Sequence, residues 1–261
     1  MSEIPFKITP DPRYLWYSSQ HKEAKARIGY HIVQKDGPVY LSADVGLGKT
    51  SIAQRLRDEF AADKSKKVVL AFAPNLRTAN QFIRFIAEEF EVKTARSYAD
   101  TLRNFEKYLL MQFKQGITPV LLIDEAQNLT HDTLKTIHHL FNFTTRSEFL
   151  IQIALFGQPE LHRRIKKFRS LASRMYMAKL QPFNLKQTER MMKFRWTVAG
   201  GKNLPIERAA IKEIYRLTGG IARDICKLTN EALVRSVVGK QKIVDKDVVV
   251  AAAADAFEEA Q

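Results

Sequence analysis

The chain has 261 residues, enough for one large domain or a domain with a small satellite, and at 45% apolar content it can bury a core. Its 42 Lys and Arg against 28 Asp and Glu leave a formal charge of +14, which favours a polyanionic partner such as nucleic acid or an acidic lipid surface. The single cysteine, Cys226, excludes an intrachain disulfide, no apolar run nears the ~18 residues of a membrane span, and the N-terminus lacks a signal-peptide pattern; a cytoplasmic protein without a membrane partner is expected.

Residues 1–20 carry Pro5, Pro10 and Pro12 among Phe6, Tyr14, Trp16 and Tyr17, a composition that predicts an extended arm. Ser19 is placed to cap a helix starting near His21, with Ala24, Ile28, Ile32 and Val33 as its apolar stripe and Gly37-Pro38 as its stop. A short apolar run, Val39 to Leu41, then opens into ADVGLGKT and a helical pattern lasting to Phe60. Strand, glycine loop and helix start form the context of a phosphate-binding P-loop. Gly46, Leu47 and Gly48 would turn backbone N–H groups onto phosphates at a helix N-terminus opened by Lys49, Thr50 and Ser51. Lys49 would reach the β and γ phosphates of ATP and the Thr50 hydroxyl would hold Mg2+. Ala43 stands where the first glycine of G-x-x-x-x-G-K-[ST] is usual, which bears only on the tightness of the strand exit.

Beyond a polar turn at 64–67, residues 68–73 read as a fully buried strand, followed by Pro74 and a helix over 76–90 that buries Phe82, Ile83, Phe85, Ile86 and Phe90. A helix over 98–114, a buried strand over 120–123, a helix over 134–143 and a strand over 150–156 complete a rhythm that predicts a mostly parallel sheet covered on both faces. From 184 onward only helical patterns remain, at 185–198, 206–217, 221–238 and 245–256, punctuated by Gly200-Gly201 and Gly219-Gly220. The expected organisation is an arm (1–20), an α/β nucleotide-binding domain (21–181) and a small C-terminal helical domain (182–261).

The strand over 120–123 ends on Asp124 and Glu125. A P-loop sheet delivers its C-terminal strand ends to the phosphates, so Asp124 is placed to coordinate Mg2+. Glu125 is suited to orient and deprotonate an attacking water, which favours hydrolysis over phosphotransfer to a small metabolite.

GLGKT, LLIDEAQNL (121–129), FGQPEL (156–161) and TGGIARDICKLTNEAL (218–233) together resemble an AAA+ ATPase, of the branch that contains the ExeA/GspA secretion ATPases and the TnsC/TniB transposition regulators. Residues 9–24 resemble the entry segment of that branch. The resemblance implies an α/β AAA+ fold with a helical lid, ATP and Mg2+ as cofactors, and a ring or helical oligomer. It implies further that Gln158 is the polar sensor that touches the γ-phosphate or the lytic water, that Arg223 in GGIARD is the second, lid-borne sensor, and that Arg174 in LASRMY is an arginine finger inserted into a neighbouring subunit, with Arg169 as its competitor.

Residues 160–202 hold twelve Lys and Arg against Glu160 and Glu189, a concentration for which a phosphate backbone is the obvious counterpart. Likeness to TnsC implies that Arg77, Thr78, Lys93, Thr94 and Arg96 lie on loops that track duplex DNA. No zinc-finger spacing or basic zipper is present, so binding should be largely independent of sequence. The leading expectation is an ATP-dependent, DNA-binding regulator of transposition that assembles on duplex DNA and recruits transposase and target-selection proteins; the alternative is an ExeA/GspA-type ATPase that energises assembly of secretion machinery. His131, His138 and His139 lack metal spacing, and Met175, Met177, Met191 and Met192 read as packing.

Overall fold

The computed structural model describes residues 3–8, 11–73, 76 and 78–257. In chain order these fold into α1 (Ser19–Gln34), β1 (Val39–Ser42), α2 (Lys49–Ala61), β2 (Lys66–Phe72), α3 (Ala79–Glu89), α4 (Tyr98–Lys114), β3 (Thr118–Asp124), α5 (His131–Leu140), β4 (Gln152–Gly157), α6 (Pro159–Lys167), α7 (Arg169–Ala172), β5 (Tyr176–Lys179) and four further helices, α8 (Leu185–Val198), α9 (Arg208–Thr218), α10 (Ala222–Val238) and α11 (Lys246–Phe257). The chain divides into two compact units: His21–Asp44 with Ile52–Leu180, and Met1–Gln20 with Val45–Ser51 and Gln181–Gln261.

The first unit is built on a parallel five-stranded sheet in the order β2-β3-β4-β1-β5. Strands β3 and β4 are apolar on both faces and buried throughout, as central parallel strands must be. Alternation sends Leu121, Ile123, Ile153 and Leu155 to one face, where they pack on Phe82, Ile83 and Ile86 of α3, Phe105 and Leu109 of α4, and Leu134, Ile137 and Leu140 of α5. Strand β2, read from the sequence as fully buried, is an edge strand: only Val69 and Ala71 are buried, and Phe72 is 57% exposed. At the other edge, β5 is not legible in the sequence, because Tyr176–Lys179 is four residues long, ends on a lysine and buries only Ala178. The same holds for α6 and α7, whose basic sequence buries only Leu161, Ile165 and Leu171.

Helix boundaries follow capping chemistry. Thr78 accepts from the Gln81 N–H while the Gln81 side chain accepts from the Thr78 N–H, each at 3.2 Å, so α3 starts at Ala79 rather than 76. Thr130 caps α5 through the Thr133 N–H at 3.2 Å and starts it at His131. In α1 the stripe is Ala24, Ile28 and Ile32 with His21 and His31; Val33, expected inside, is 54% exposed.

The second unit packs α8 to α11 around Met191, Met192, Ile211, Ile214, Ile225 and Val249, with a single parallel bridge between Ile206 and Val244. The N-terminal segment, expected as a separate arm, belongs here. Phe6 is 1% exposed within this core, Trp16 meets Phe183 edge-on at 5.4 Å, and Pro12–Tyr14 form a 3-10 turn. Arg195 fastens the segment by donating to the carbonyls of Tyr14 (3.0 Å) and Lys7 (3.3 Å). Its guanidinium also meets the Cys226 sulfur, and burial pushes that thiol's pKa up, so the cysteine is packed rather than reactive. Among the described residues no helix is long and apolar enough to cross a membrane.

Candidate active site

The parallel register places the C-terminal ends of β1, β3 and β4 on one edge of the sheet, at Ser42, Asp124 and Gly157. Ala43 continues this ladder, its N–H donating to the Gly157 carbonyl at 3.1 Å with no positive φ, so the strand exit at this position requires no glycine. The loop after β1 then turns through Gly46 (φ 81°) and Gly48 (φ 90°), left-handed conformations that side chains resist. A Cβ on Gly46 would fall 2.9 Å from Arg223 Cβ and 2.9 Å from Ile221 Cγ2, and the Arg223 N–H donates to the Gly46 carbonyl at 3.3 Å. The loop is therefore packed directly on the start of α10. Leu47 is 2% exposed, and Lys49, the first residue of α2, is 5% exposed, its charge held at a helix N-terminus; Thr50 and Ser51 follow within the first turn.

In the sheet unit, Asp124 ends β3 with no exposure, and its Oδ1 accepts the Glu125 N–H at 2.9 Å. Glu125 sits in the left-handed region at φ 53°, ψ 32°, an uncommon conformation for a side chain of this size. A 3-10 turn, Ala126–Asn128, follows and brings Gln127 back: its Nε2 donates to Glu125 Oε2 at 2.5 Å and its Oε1 accepts the Gln158 N–H at 3.1 Å. Gln158 precedes α6 and makes no side-chain cap, leaving its amide available beyond the end of β4. Arg164 locks the turn by donating to the Leu129 carbonyl at 2.6 Å. Asp124, Glu125 and Gln158 are thus brought together, and Gln127, buried and in the same motif, is the residue that sequence reasoning passes over.

The arginines differ in setting. Arg223 is exposed on the first turn of α10, and beside it burial raises the pKa of Asp224 against the opposing charge of Arg223. Arg174 is exposed and donates to Asn142 Oδ1 at 3.0 Å, while Arg169 is exposed at the start of α7. Of the proposed DNA loops, Arg77 lies outside the described residues, and the Thr78 hydroxyl is engaged in capping α3. Lys93 and Arg96 are exposed, Thr94 is half-buried, and their loop is fixed by Asn104 donating to the Lys93 carbonyl and by Thr101 bonding both backbone groups of Ala95. The basic stretch 160–202 is divided between the two units, and several of its members have local partners: Arg163 with Glu160, Lys193 with Glu189, and Arg195 with backbone.

A parallel sheet with a glycine loop after β1 and a carboxylate pair after β3, the next strand but one, defines a P-loop ATPase. Residues 32–165 match the family model described as an AAA domain, and the chain belongs to that family. It is 32% identical to General secretion pathway protein A of Aeromonas hydrophila over 97% of its own length, and it spans about half, 47%, of that relative. Among solved structures it resembles the Aeropyrum pernix ORC2 protein (TM-score 0.64, 13% identity, 96% of this chain and 71% of that one) and Drosophila ORC bound to DNA (TM-score 0.71, 17% identity, 96% and 64%). These likenesses confirm the AAA+ fold.

The family uses ATP with Mg2+, and the residues present fit both. Two left-handed glycines open a helix N-terminus for phosphate, next to a buried lysine. Among the described residues no group of three or more His, Cys, Asp or Glu could hold a metal by itself.

Proposed function

We propose that this chain is the ATPase module of an assembly machine similar to General secretion pathway protein A, in which nucleotide state governs association with its partners. The observation that carries this reading is the 32% identity extending over 97% of the chain, across both the sheet unit and the helical unit. In the proposed site Lys49 would offset charge on the β and γ phosphates, and Thr50 and Asp124 are the residues that would hold Mg2+, which would supply neutralisation of the charge developing on phosphate oxygens. Glu125 takes the proton from the water that attacks the γ phosphorus while the bond to the bridging oxygen breaks. Gln158 reads the γ-phosphate from the end of β4, Arg223 reports it to the helical unit, and Arg174 acts on the site of a neighbouring copy. Backbone contact between Arg223 and Gly46 supports this coupling, because the loop that would grip phosphate bears directly on α10.

A second reading, an ATP-dependent DNA-binding regulator of transposition that recruits a transposase, is favoured by the twelve Lys and Arg at 160–202 and by likeness to an ORC whose structure was solved on DNA. The lack of a membrane-spanning helix among the described residues does not separate the two readings, since the chain spans only about half of the secretion relative. Light scattering and gel shifts with a non-hydrolysable ATP analogue, with and without duplex DNA, distinguish them. Nucleotide-dependent assembly indifferent to DNA, together with co-fractionation with membranes from the source cell, supports the first. Assembly that requires duplex and weakens steeply with salt supports the second.

A further inference from the structure

Gln127 has no role in the reaction as described, yet it is 8% exposed and both ends of its amide are used within a few ångströms of the proposed base. The direction of that amide is fixed by chemistry. Its oxygen faces an N–H, which only donates, and its nitrogen faces a carboxylate, which only accepts; flipping it would set like against like at both ends. The surroundings are equally constrained. A Cβ on Gly157 would come within 3.1 Å of the backbone nitrogen of Gln127, so the end of β4 is pressed against the turn that carries Gln127. Glu125, for its part, is held left-handed with its N–H on Asp124 Oδ1.

We propose that Gln127 is a positioning residue for hydrolysis: its side chain fixes the orientation of the Glu125 carboxylate and ties it to the backbone at Gln158, so that base and γ-phosphate sensor are set as one unit across the ends of β3 and β4. The inference rests on Glu125 being the base. With Oε2 engaged by Gln127, Oε1 is the oxygen left to take the proton of an attacking water. A carboxylate free to rotate would spend most of its time out of line, and misplacement of about 1 Å costs roughly 100-fold in rate.

The test compares Q127M, Q127E and E125Q with the wild-type chain in steady-state ATP hydrolysis, binding of a fluorescent non-hydrolysable ATP analogue, and thermal melting. Q127M, close in volume but unable to make either bond, should lose roughly 10- to 100-fold in kcat with KM and analogue affinity within about twofold of wild type. Q127E, close in volume but setting a second carboxylate against Glu125, should be similarly slow. Wild-type kcat in Q127M beside an inactive E125Q overturns the inference and leaves the base standing. Wild-type kcat in E125Q overturns the reading of the site itself. Parallel loss of kcat, affinity and melting temperature in Q127M assigns Gln127 to structure alone and also overturns the inference.

Discussion

Replacing Gly46 with alanine tests whether the glycine loop is shaped by its contact with α10 as well as by its backbone conformation. Two costs arise there. At φ 81° a Cβ meets the penalty of a left-handed residue, about 1–2 kcal/mol. It also falls 2.9 Å from both Arg223 Cβ and Ile221 Cγ2, where relief requires movement of the loop or of the first turn of α10, an overpacking cost of roughly 1–3 kcal/mol. Gly116 separates the two, because its φ is 72° but a methyl group added there would have nothing within 4 Å, so alanine incurs only the first cost. Thermal or denaturant unfolding should show G46A destabilised by about 2–5 kcal/mol and G116A by about 1–2 kcal/mol. Titration with a fluorescent ATP analogue should show at least about tenfold weaker binding for G46A, equivalent to ~1.4 kcal/mol, and unchanged binding for G116A. Equal destabilisation in the two variants with wild-type ATP affinity in G46A would refute the reasoning.

Glu125→Gln should retain nucleotide binding while hydrolysis falls by about 10²- to 10⁴-fold, seen as a stable ATP complex in single-turnover assays; brisk turnover would contradict its role. If Arg174 acts on a neighbour, R174A and K49A proteins, each inactive alone, should regain part of the ATPase rate when mixed, whereas no recovery argues for action within one chain. Stability should fall as the pH drops from about 6.5, the ordinary histidine value. Burial, then the charges of Lys166 and Lys179, hold the His162 pKa below that value, and its Nδ1 pairs at 2.8 Å with the Tyr40 hydroxyl, whose own pKa burial raises. The unfolded chain therefore takes up the proton first, and melting temperatures of H162Q should show a shallower decline between pH 7 and 5.5 than wild type. An identical decline would exclude His162 as a source. If DNA is bound, affinity should drop by orders of magnitude between low and moderate salt, and a flat salt response would sink the transposition reading.

What the sequence reveals, and what it hides, follows from how local each signal is. The GLGKT loop and the Asp124-Glu125 strand end are contiguous motifs in which backbone and chemistry are written together, and both sit where the pattern puts them. Helix α4 and helix α8 are legible to the residue because Ser97 and Asn184 cap them and amphipathic periodicity fills the rest. Burial of β2 is misleading because an apolar run does not say whether its strand lies at the centre or edge of a sheet. The N-terminal segment misleads because its prolines forbid a helix but say nothing about the hydrophobic core that Phe6 enters. Gln127 escapes for a third reason, since a glutamine two residues past a carboxylate carries no pattern, and only the left-handed turn at Glu125 folds it back onto both partners. The basic stretch, one block in the sequence, is distributed over two units with several charges satisfied nearby, which weakens its force as an argument for DNA.

The central claim is that triphosphate is gripped at the start of α2, where Lys49 is 5% exposed. Calorimetric titration of Mg2+ and a non-hydrolysable ATP analogue into wild-type and K49A proteins measures this directly. The account predicts saturable binding by the wild-type chain and an affinity lower by at least about 30-fold, roughly 2 kcal/mol, in a K49A protein that still melts cooperatively. Equal affinity in the two proteins would contradict it.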